Sequence, residues 1–143
     1  MKKFAQTKEE LLLSLINRQT PRAVQGKEIN TMCTYSHSIN GGCAIGCQVK
    51  KSLAKTLDNH GALAFDENDD EGSYSEVFYC LPKRLQKMGH EFLSLIQSTH
   101  DEQTNYINSE TAEKGKDGLI WNARGKKEIN NIISKFDLKI KKL

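Results

Sequence analysis

The residues of this chain best suited to chemistry crowd into one stretch, Cys33-Thr34-Tyr35-Ser36-His37 followed by Gly41-Gly42-Cys43-Ala44-Ile45-Gly46-Cys47. Cys33 and His37 enclose three residues, as do Cys43 and Cys47. Thiolate and imidazole ligands in closely spaced pairs are compatible with tetrahedral zinc, so Cys33, His37, Cys43 and Cys47 form a candidate metal set. The competing reading is plain burial, because an unmodified cysteine packs as a small hydrophobe. A third reading is catalytic. Cys43 or Cys47, at a glycine-rich turn leading into a helix, would have its thiolate favoured by backbone amides and the helix dipole. His100 and Asp101 would then supply a base and its orienting carboxylate. Adjacent side chains on a regular helix point about 100° apart, so Asp101 is expected to orient His100 poorly. The imidazole is better suited to the C-terminal end of its own helix.

Other signals are weaker. Asp66, Asn68 and Asp70 have the alternation of a calcium loop, but Glu71 stands where the sharp-turn glycine belongs and Val77 where the bidentate glutamate belongs. No glycine-rich phosphate loop of the Walker or dinucleotide type occurs. Trp121, the only tryptophan, is expected as a hydrophobic anchor. His37, His60 and His90 lie among polar neighbours and read as exposed or locally bonded imidazoles.

These residues must be positioned by a limited set of elements. Thr7-Lys8-Glu9-Glu10 is a capping box, and Leu11, Leu12, Leu15 and Ile16 follow at helical spacing, so a helix is predicted over about 8–18. Met32–Tyr35 and Gly42–Ile45, separated by the turn signal Ile39-Asn40-Gly41-Gly42, are expected to pair as a small antiparallel β-hairpin. Val49, Leu53, Ala54 and Leu57 mark a helix from Gln48 to about Leu57. Val77–Leu81 suits either an edge strand or an anchor for a short helix over Lys83–Met88 that follows Pro82. Phe92, Leu93, Leu95 and Ile96 predict the most buried helix, ending near His100-Asp101. Ile129, Ile132, Ile133 and Phe136 predict a last helix over Lys126–Phe136. The expected class is α+β: a mostly helical single domain over residues 1–143 with one β-hairpin. An acidic loop at about 64–76 and a polar loop at about 102–118 are expected to be mobile.

Length and composition bound the rest. The chain has 143 residues, 37% of them hydrophobic and 27% charged, which fits one domain with a modest core. No apolar run approaches the roughly 20 residues of a membrane helix. Lys8, Glu9 and Glu10 interrupt the signal-peptide-like start, so a cytoplasmic setting with reduced thiols is expected. The net charge of +3 is too mild to name a nucleic-acid partner. Arg124, Lys126, Lys127, Lys135, Lys139, Lys141 and Lys142 nevertheless make the end of the chain basic, while Asp66, Glu67, Asp69, Asp70, Glu71 and Glu76 form an acidic stretch.

Cys33-Thr34-Tyr35, then Gly42-Cys43-Ala44-Ile45-Gly46-Cys47, Leu81-Pro82 with Leu85, and Phe92-Leu93 through Ile96-Gln97-Ser98-Thr99-His100-Asp101 resemble a set of small uncharacterised phage, prophage and bacterial proteins. In that set a C-A-I/V-G segment precedes an L-Q-x-x-H-D segment and a tryptophan. The resemblance spans about residues 30–125 and implies Cys43, Gly46, Gln97, His100, Asp101 and Trp121 as shared positions. The chain departs from the pattern in its acidic insertion and in the wide interval between Asp101 and Trp121. If the hairpin packs on the helix ending at His100, then Gln97, His100 and Asp101 can satisfy its unpaired backbone groups. The resemblance implies an accessory protein that binds or inhibits a host protein or a small ligand without catalysis, with Tyr35, Cys43, Gly46, Gln97, His100, Asp101 and Trp121 at its binding surface. No cofactor is expected beyond possible zinc. The alternatives are a cysteine hydrolase or transferase, and a zinc-stabilised nucleic-acid-binding module.

Overall fold

A computed structural model describes residues 4–17, 44–57, 76–107 and 120–143. Six α-helices occupy them: α1 (Lys8–Asn17), α2 (Lys51–Leu57), α3 (Glu76–Cys80), α4 (Lys83–Gln86), α5 (His90–Asp101) and α6 (Ala123–Lys135). Two 3-10 turns, Gly46–Gln48 and Gln103–Asn105, complete the pattern. No β-strand occurs among the described residues; an isolated antiparallel bridge joins Tyr106 to Trp121. The expected α+β class with a hairpin is therefore corrected to a mostly helical fold. Residues 32–43 lie outside the described part, but Ala44 and Ile45, assigned to the second strand, form a turn. Ile45 has φ −88° and ψ −41°, right-handed helical values that open the Gly46–Gln48 turn. Val77–Cys80 also falls in a helix, because a short apolar run buries equally well as one helical turn or as a strand.

The local rules that start and stop the helices are visible. Thr7 Oγ1 accepts from the Glu10 amide at 3.1 Å, while Glu10 Oε2 reaches one residue beyond the usual capping box, to the Gln6 amide at 2.8 Å. Pro82 is the N-cap of α4. Gly89 has φ +94°, a conformation that suits glycine, and this reversal lets α5 begin immediately after α4. The Asn122 side chain caps α6 by accepting from the Gly125 amide at 2.9 Å.

Helix α5 packs against both α1 and α6. Leu11, Leu12 and Leu15 from α1, Phe92, Leu93 and Ile96 from α5, and Ile129, Ile132 and Ile133 from α6 are all buried. Removing each such side chain from water contributes about 1.5–3 kcal/mol, so this three-helix contact is a substantial part of the core. The Phe92 and Phe136 rings meet edge to face at 5.0 Å. Among the described residues, no helix is long and apolar enough to cross a membrane.

Candidate functional site

The last two turns of α5 carry Gln97, His100 and Asp101, and the helical period brings Gln97 and Asp101 to one face. Gln97 Nε2 donates to Asp101 Oδ2 at 3.0 Å. Its other amide atom, Oε1, accepts from the backbone N–H of Ile45 at 3.3 Å, in a buried bond that spans 52 positions of sequence. Gln97 thus satisfies a backbone group of the turn at Ala44 and Ile45. His100 Nδ1 lies 3.4 Å from Asp101 Oδ1. Asp101, expected to orient His100 poorly, makes this approach at the last residues of the helix. The His100 side chain is 0% exposed and that of Asp101 24% exposed, so only the carboxylate has access to solvent.

Two residues that sequence reasoning placed in a polar loop close this end of α5. Tyr106 Oη donates to the His100 carbonyl at 2.6 Å, and Asn105 Nδ2 to the Thr99 carbonyl at 3.0 Å. Both residues are buried. They occupy carbonyls that a helix C-terminus leaves without intrahelical partners. Tyr106 in turn stacks on Trp121, with ring centroids 4.6 Å apart, and Trp121 Nε1 donates to the Ile16 carbonyl at 3.0 Å. A lone tyrosine shortly after a helix end was the signal that could have identified this closure.

Of the cysteines, Cys47 is buried and its thiol donates to the Ala44 carbonyl at 3.3 Å. Gly46 is buried beside it in the 3-10 turn. Cys33, Tyr35, His37 and Cys43 lie outside the described residues, as does His60. No group of three His, Cys, Asp or Glu that could hold a metal occurs among the described residues. His90, read as exposed or locally bonded, is buried, with its ring edge-to-face on Phe78 at 5.5 Å and its Nδ1 3.5 Å from Ser94 Oγ.

A second polar hub, unanticipated from the sequence, forms at Gln48. Its Oε1 accepts from the Ala5 amide at 2.8 Å and its Nε2 donates to Ser14 Oγ at 2.9 Å. The Gln48 carbonyl accepts from Arg84 Nη2, while Arg84 Nη1 donates to the Ala5 carbonyl at 3.2 Å. Burial holds the Arg84 guanidinium below its ordinary value, because leaving water disfavours the charged form. The basic residues of the chain end, Arg124, Lys126, Lys127, Lys135, Lys139, Lys141 and Lys142, are all exposed, and Lys135 pairs with Glu91.

Comparison of the chain with known protein families, curated proteins and solved structures finds no match.

Proposed function

We propose that this chain is a small accessory protein of phage or other mobile-element origin that binds a host component without catalysing a reaction. The observation that carries this reading is the use made of Gln97. Its side-chain amide links Ile45 to Asp101, so the polar residues at the end of α5 hold two segments together. His100, the residue a thiol enzyme would need as its base, has a fully buried side chain, which leaves it no direct access to a substrate in this conformation. Asp101 is the partly exposed member and offers a hydrogen-bonded carboxylate at the end of α5. A preorganised polar group of this kind suits recognition, since little is lost in ordering it on binding.

The test is affinity capture from a bacterial lysate with the immobilised full chain, quantified for the wild type and for Asp101→Arg and Cys43→Ser. The expected result is a defined partner lost with Asp101→Arg and retained with Cys43→Ser, both variants keeping the wild-type circular dichroism. A partner set indifferent to Asp101→Arg would refute the proposed surface. An ester- or amide-cleaving activity abolished by Cys43→Ser would replace the reading with a thiol enzyme, because serine is far harder to deprotonate.

A further inference from the structure

A cleft of about 400 Å³ opens between the start of α1 and α4, lined by Gln6, Thr7, Lys8, Arg84, Lys87 and Met88. Its lining holds three cations and no acid. From this cleft we infer a binding site for the phosphate group of a small phosphorylated molecule, with Lys8, Arg84 and Lys87 as its cationic walls. The site shares no residue with the Gln97 cluster and does not depend on the function proposed above.

The charge balance carries the argument. Of the acids nearest in sequence, Glu10 sets its Oε2 on the amide of Gln6 at the edge of the cleft, and Glu9 Oε2 accepts from the Lys139 amide at 3.3 Å. No carboxylate among the described residues pairs with Lys8, Arg84 or Lys87. The Lys8 ammonium lies over the Phe92 and Phe136 rings, 5.8 and 5.2 Å from their centroids, and the Arg84 guanidinium is 5.2 Å from the Phe4 centroid. Aromatic faces steady a cation without cancelling its charge. Arg84 spends two donors on the neutral carbonyls of Ala5 and Gln48, which fixes the plane of the guanidinium. A guanidinium has five donors, and these two bonds use two of them. Thr7 Oγ1 acts as acceptor toward the Glu10 amide, and its hydroxyl proton can still be donated.

The combination of a fixed guanidinium, two ammonium groups and a hydroxyl matches the tetrahedral, multiply charged oxygens of phosphate better than a single carboxylate. The volume falls in the range of small-ligand sites, about 300–1,000 Å³, and leaves room for a group attached to the phosphate.

The experiment is calorimetric titration of the full chain with inorganic pyrophosphate, inorganic phosphate, acetate at matched ionic strength, and a short single-stranded oligonucleotide. Pyrophosphate is expected to bind saturably, phosphate more weakly and acetate not at all. Lys8→Gln/Lys87→Gln should weaken pyrophosphate binding at least about tenfold, since two charge-assisted contacts are lost. Lys51→Gln/Lys55→Gln, which removes the same charge from exposed positions of α2, should leave it unchanged. Lys87→Glu alters an exposed side chain only and gives a reading even if changing Lys8 perturbs its packing on the aromatic rings. The inference is overturned if pyrophosphate does not saturate, if the α2 variant loses as much affinity as the cleft variant, if Lys87→Glu binds like the wild type, or if only the oligonucleotide binds.

Discussion

Gln97 accepts the backbone N–H of Ile45 through Oε1 and donates to Asp101 through Nε2, so one side-chain amide fixes the cysteine-bearing turn to the end of α5. The bond to Ile45 is buried, and this determines the cost of losing it. Gln97→Ala would leave a buried amide without its acceptor, a penalty of about 1–3 kcal/mol. Urea unfolding followed by circular dichroism should show the midpoint falling with an unchanged slope.

Gln97→Glu makes a sharper test. Glutamate keeps an oxygen for the Ile45 amide but sets a second carboxylate against Asp101, where the wild type has a donor 3.0 Å away. Like charges at that separation raise the pKa of one group in the folded state. A raised folded-state pKa means that the native variant binds a proton more tightly than the unfolded chain, so its stability improves on acidification. The deficit relative to wild type should be largest at neutral pH and shrink as the pH falls through the carboxylate range. A deficit constant between neutral pH and about pH 4 would rule out the like-charge contact.

Tyr106→Phe removes the donor to the His100 carbonyl while keeping the ring against Trp121. A loss of about 1 kcal/mol is expected. Trp121, the only tryptophan, is buried, so its fluorescence provides the readout of unfolding.

Gly125 has no room for a side chain. A Cβ there would run into the Asn105 carbonyl oxygen and come within 2.8 Å of Trp121 Cε3. Alanine normally favours a helix, but Gly125→Ala should destabilise this protein by about 1–3 kcal/mol, because the obstruction is backbone and yields little. Calorimetry should show a lower Tm; an unchanged or higher one would contradict the close approach of α6 to the Gln103–Asn105 turn.

Much of the helical framework was legible before the structure. The capping box at Thr7, the leucines at 11, 12 and 15, Pro82 ahead of α4 and the isoleucines at 129, 132 and 133 each follow rules that act within one or two turns. The predicted helix over 8–18 corresponds to Lys8–Asn17, and the one ending near His100-Asp101 to His90–Asp101. The hairpin failed at Ala44 and Ile45 because the Gly-Gly signal says that the chain turns, not that strands flank the turn. Val77–Leu81 was ambiguous for a related reason, since five apolar residues are too few for a period to emerge.

The candidate site divides along the same physical line. Residue types placed His100 and Asp101 at one helix end, and the resemblance added Gln97, which shares a face with position 101 whatever surrounds them. Tertiary structure alone decided that Gln97 meets Ile45, that Tyr106 seals the His100 carbonyl, that Gln48 joins α1 to Arg84, and that Lys8 and Lys87 flank one cleft. A short polar side chain bonding across tens of residues leaves no periodic trace. Its partner is chosen by how the helices pack, and that packing is set by the apolar faces.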